Sequence, residues 1–144
     1  MGIQENKDVV RRFIDECVNT HRAELLAEYV DPALRVHPGT PGAAPDTEGI
    51  DGLREAFQRF RVSFPDLHIA PEAMIAEGDL VAVRWTATGT HSGDLAGIAA
   101  TGTAVRWAGT DMYRFTDDKI VEWWRNDDLV GLLHQLGRDL VPSG

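Results

Sequence analysis

Residues 76–124, AEGDLVAVRWTATGTHSGDLAGIAATGTAVRWAGTDMYRFTDDKIVEWW, decide the fold. Trp107, Gly109, Asp111, Tyr113 and Phe115 share one parity of their segment. Period two is the pattern of a strand with one buried face. Glu77-Gly78-Asp79 and Asp117-Asp118 read as tight turns. With the flanking residues, this predicts strands at about 67–76, 80–90, 103–115 and 119–127. They connect as an antiparallel meander. The middle connection, HSGDLAGIAATG, is too long for a minimal hairpin and rich in small residues, as loops at a pocket mouth commonly are.

The residues before this meander change period. Val9, Val10, Phe13, Ile14, Cys17 and Val18 recur at three-and-four spacing and predict a helix over about 4–19. Leu25, Leu26, Tyr29 and Val30 form a shorter stripe, stopped by Asp31-Pro32. Residues 37–49, HPGTPGAAPDTEG, hold three prolines and three glycines and read as a surface loop. A third helix is expected from about Ile50 to Phe64, with Leu53, Ala56, Phe57, Phe60 and Phe64 on one side. The last helix begins near Leu129 and carries Leu132, Leu133 and Leu136. Helices first and a meander afterwards imply one α+β domain over 1–144. The expected form is a cone-shaped α+β barrel, a curved antiparallel sheet on the N-terminal helices around an internal pocket for a small apolar ligand.

Composition narrows the function. The 144 residues carry 14 Lys and Arg against 23 Asp and Glu, a formal net charge of −9. An acidic chain without a basic cluster repels phosphate backbones, so nucleic acid is not an expected partner. No stretch has the length of a signal peptide core or a membrane span, which makes a soluble cytoplasmic protein the expectation. Cys17 is the only cysteine and sits on the first helical stripe, where a buried hydrophobe is its natural role. The histidines are scattered, so no metal is expected, and no Gly-x-Gly-x-x-Gly or Gly-x-Ser-x-Gly motif occurs. What remains is carboxylate and imidazole acid–base chemistry without a cofactor. Asp111 shares the apolar parity of its strand with Trp107 and Tyr113. An inward carboxylate must be hydrogen-bonded, protonated or paired, for instance with Arg84.

Several stretches together resemble the SnoaL-like polyketide cyclase family of the nuclear transport factor 2-like superfamily. They are FPDLH (64–68), the stretch 76–124 with its G-T-H-x-G, A-T-G and D-x-Y-R-F motifs, and DDLVGLLHQLG (127–137), which completes W-x-x-x-D-x-x-G-L-L-x-Q-L-G. The resemblance covers nearly the whole chain and implies the same cone fold. Relatives of this type include aldol cyclases of aromatic polyketides, isomerases, epoxide hydrolases and cofactor-free hydroxylase components. Others are non-catalytic binding or oligomerisation modules.

The resemblance implies particular residues. Asp128 matches the family's acid/base aspartate, although an Asp at this place could equally cap the last helix, a role open to Asp127 as well. His37, in His37-Pro38-Gly39, stands where aldol cyclases often carry Asn-Pro-Gly, and is the third catalytic candidate beside Asp128 and Asp111. Aldol cyclases tend to carry a histidine where this chain has Asp111. An Asp111/Asp128 pair sharing one pocket and titrating unequally is the expected acid–base device. Trp107, Trp124, Phe57, Phe60 and Tyr113 are expected to bind an apolar substrate, with His91 at the rim. Relatives also bury the outer sheet face in a homodimer.

Overall fold

In the computed structural model, which describes residues 2–38 and 47–138, the chain forms a curved six-stranded sheet packed against helices. Helix α1 (Ile3–Arg12) runs on into a π-helical stretch, Phe13–Val18. A 3-10 turn (Ala23–Leu25) leads into the short α2 (Leu26–Tyr29). Then follow β1 (Val30–His37), β2 (Thr47–Glu48), α3 (Gly49–Ser63), β3 (His68–Glu77), β4 (Leu80–Thr90), β5 (Ala104–Thr116), β6 (Lys119–Trp124) and α4 (Leu129–Gln135). The sheet order is β2-β1-β6-β5-β4-β3.

Strands β3 to β6 pair antiparallel, as their alternation predicts. Two expectations need correction. Asp31-Pro32 does end the helical stripe, but the chain then becomes β1, a strand absent from the expected set. Strand β1 pairs parallel with β6, so the sheet is mixed and not wholly antiparallel. Pro32 is tolerated because the β2 partners of β1 are only Arg35 and Val36, leaving its missing N–H without consequence there. The predicted strand 119–127 stops at Trp124. Of the proposed loop 37–49, residues 39–46 lie outside the described residues, and Thr47–Glu48 form β2.

The core lies between the concave sheet face and the helices. Phe13, Leu26, Tyr29, Leu34, Phe64, Val81, Val83 and Ile120 are fully buried there. Cys17 joins them, and burial pushes its thiol up to about 12. The π-helical stretch is closed by the Asn19 N–H donating to the Ile14 carbonyl at 2.9 Å. The Asn19 side chain then acts as a substitute strand partner for Ile69, donating to its carbonyl at 2.9 Å and accepting its N–H at 2.7 Å. That fixes the first helix across β3, and Ile14 and Val18 face the hollow beneath.

Candidate functional site

The hollow between α3 and the sheet measures about 790 Å³ with its open mouth counted. Helix α3 contributes Leu53, Ala56, Phe57 and Phe60, and the sheet contributes Trp85, Trp107, Asp111, Tyr113 and Trp123. His21 and Arg125 complete its polar lining. The rings are tied to the core. Tyr113 stacks on Trp123 at 5.2 Å, and Phe13 meets Trp123 edge-on at 5.8 Å. Trp85 packs closely on Gly109, where a Cβ would come within 2.4 Å of its Cζ2. Only glycine lets β5 and this indole approach so closely.

Asp111 is 4% exposed and faces this aromatic space. Its register opposite Val83 puts it on the buried face, and β5 alternates buried and more exposed residues along its length. Trp123 Nε1–H donates to Oδ2 at 3.0 Å, and the Asn126 backbone N–H donates to Oδ1 at 3.2 Å. The Trp85 indole N–H is directed to the same carboxylate and favours its charge, yet meets no acceptor at hydrogen-bond geometry among the described residues. Burial raises the Asp111 pKa above the usual aspartate value, outweighing the opposing pull of Arg125 and the donors. Tyr113 is pushed well above the ordinary phenol value by burial and by the Asp111 charge, so its hydroxyl stays protonated. The expected partner Arg84 is exposed on the other sheet face, opposite Thr110. No ion pair neutralises Asp111 among the described residues. A buried, hydrogen-bonded, unpaired carboxylate can take and return a proton.

The family model for SnoaL-like polyketide cyclases matches residues 8–136. The chain belongs to that family. It is 27% identical to the aklanonic acid methyl ester cyclase DnrD of Streptomyces peucetius over 139 residues, covering 95% of this chain and 94% of that one. Among solved structures it superposes on IdmH, a polyketide cyclase candidate of Streptomyces antibioticus, with TM-score 0.79 and 33% identity, covering 92% and 99% of the two chains. AclR, a hydroxylase candidate of Streptomyces galilaeus, matches with TM-score 0.83 and 26% identity over 99% and 87%.

Within this SnoaL-like fold the expected residues separate. Phe57, Phe60, Trp107, Tyr113 and Asp111 share the cavity. Trp124 does not line it. It pairs with Met112 on the outer parity, stacks near His37 at 5.6 Å and lies under the Arg114 guanidinium at 5.5 Å. The cavity tryptophan of β6 is its neighbour Trp123, because the register shift between Arg114 and Phe115 resets the parity. His37 also faces outward, at the end of β1, with Nε2 2.6 Å from Glu122 Oε2. The hydrogen bond from His37 holds the Glu122 carboxyl below the usual range. His91 is fully buried outside the lining; its Nδ1 accepts the Thr101 N–H at 3.2 Å and anchors the 91–103 connection. Asp128 is exposed and caps α4, accepting the Gly131 N–H at 2.9 Å. Asp127 instead forms an isolated bridge with Gly109. The structure therefore does not bring Asp128 and Asp111 into one pocket.

Arg125, Trp123, Trp85 and His21 enter the lining without having been singled out for it. Trp85 was legible, since it shares the parity of Val81 and Val83. Arg125 lies just past β6, where strand parity no longer assigns a face. No cluster of three or more His, Cys, Asp or Glu suited to a metal occurs among the described residues.

Proposed function

We propose that the chain is a small-molecule acid–base enzyme that closes a ring on a planar, polyketide-like carbon skeleton, with Asp111 moving the proton. The supporting observation is the buried, unpaired Asp111 carboxylate at the wall of an aromatic-lined cavity. The ionised carboxylate takes a proton from carbon alpha to a carbonyl. The enolate attacks a second carbonyl of the same molecule, forming the carbon–carbon bond. Protonated Asp111 returns the proton to the new alkoxide, and a raised pKa suits it to both directions. The Tyr113 hydroxyl supplies a neutral donor to a substrate oxygen. Trp107, Phe57 and Phe60 bind the flat skeleton by stacking. Asp128 holds the last helix in this reading. The molecule acts as a homodimer through the outer sheet face, where Arg106 and Thr110 are exposed beside Met112 and Arg114.

The test is incubation with aklanonic acid methyl ester, following conversion to an isomer of unchanged mass. Wild type and Asp128→Asn should convert it at comparable rates, and Asp111→Asn should lose at least about 100-fold, the low end for a general acid–base group. Loss in Asp128→Asn with full activity in Asp111→Asn would reverse the assignment. Tight binding with no conversion by any variant would favour a non-catalytic binding module.

A further inference from the structure

Among the described residues the cavity lining holds one arginine or lysine, Arg125. The Arg125 guanidinium lies 5.3 Å from the Phe60 ring centre and 5.6 Å from that of Trp123, one ring on each wall of the hollow. Its own backbone N–H is fixed to the His37 carbonyl at 2.9 Å, so the side chain starts from a rigid point between β1 and β6. Among the described residues the guanidinium makes neither an ion pair nor a side-chain hydrogen bond. By contrast, Arg114 is held by Asp79 and Glu122, and Arg54 by Asp51. Arginine stacks well on rings and presents five donors in a planar fork, which matches two oxygens of an anion. The guanidinium lies near both rings, and its N–H donors meet no acceptor among the described residues. Among the described residues Asp111 is the only carboxylate of this lining; Trp123 and Asn126 hydrogen-bond it, and it feels the Arg125 charge without an ion pair.

We infer that Arg125 is the group that reads the ligand, and that the cavity takes planar aromatic or polycyclic molecules carrying an anionic oxygen group such as a carboxylate or enolate. The inference rests on the cavity being the ligand site, as proposed above. The ring system lies between Phe60 and the tryptophans, and its charged edge turns to the Arg125 fork. Arg125 acts in recognition, whereas Asp111 moves the proton.

Binding of 2-naphthoate and its neutral isostere 2-naphthamide, followed by tryptophan fluorescence on the full chain, tests this without a substrate. Wild type should bind naphthoate about 10-fold or more tightly than naphthamide. Arg125→Gln should abolish that preference and hold naphthamide within about 3-fold of wild type, and Arg125→Lys should keep part of the preference. Should Arg125→Gln fail to fold, the Arg125 side-chain nitrogen resonances of wild type give the answer. They should move with naphthoate and not with naphthamide. Equal affinity for both probes in wild type overturns the inference, as does a preference that survives Arg125→Gln and disappears in His21→Gln. If neither probe binds wild type, the cavity reading itself fails and this inference falls with it.

Discussion

The proposed chemistry rests on one side chain, Asp111. A carboxylate among Trp85, Trp107, Tyr113 and Trp123 loses its hydration, and two hydrogen bonds restore only part of it. Its pKa is raised in the folded chain, so folding favours the protonated form. Below the ordinary aspartate value both states hold the proton and nothing is lost. As pH rises from there through the raised value, the unfolded chain releases the proton first and wild type loses stability. Asp111→Asn has no such proton. The stability of wild type minus that of Asp111→Asn, from urea unfolding, should therefore fall as pH climbs through this window. A difference that grows with pH would mean a lowered pKa. The parity of β5 placed this residue inward from sequence alone. Its hydrogen-bond donors were not legible, because Trp123 follows a register shift and the Asn126 N–H lies past the end of a strand.

Individual elements show where periodicity carries a prediction and where it stops. Strands β4 and β5 alternate cleanly and appear where expected, since each has one face on the core. Strand β1 was missed because Asp31-Pro32 reads as a stop, and a proline does not reveal that its strand is largely uncovered on the β2 side. The parallel pairing of β1 with β6 joins segments about 90 residues apart, and such long-range pairing leaves no local pattern. Register shifts have the same effect. The shift between Arg114 and Phe115 moves the cavity role from Trp124 to Trp123. Helix α4 shows two readings of one residue. Asp128 accepts the Gly131 N–H as its cap, and Gln135 ties the helix to β5 by accepting the Arg106 N–H at 3.0 Å and donating to its carbonyl at 2.7 Å. Asp128→Ala should cost about 1 kcal/mol and Asp128→Asn much less, because asparagine also caps well. Thermal unfolding of both variants checks this. Equal losses would point to the charge of Asp128 rather than its cap.

On the scale of the whole molecule, sheet curvature and helix α3 create a hollow that the core does not fill. Among the described residues its walls are largely aromatic, its one carboxylate is buried, and its one arginine lies near the Phe60 and Trp123 rings. Fold and family were legible because they rest on patterning and on contiguous motifs. The site was legible in part, because only β5 supplies several of its residues at a fixed period. The family resemblance pointed to Asp128, whereas the proposed function selects the carboxylate that the cavity buries. A carbon-13 titration of the aspartate carboxyls, in the empty protein and again with 2-naphthamide bound, addresses that selection directly. Asp111 should titrate above the ordinary aspartate value when empty and higher still when the ligand displaces water from the cavity. An Asp111 that titrates at or below the ordinary value in both states would contradict its role as the proton-carrying group.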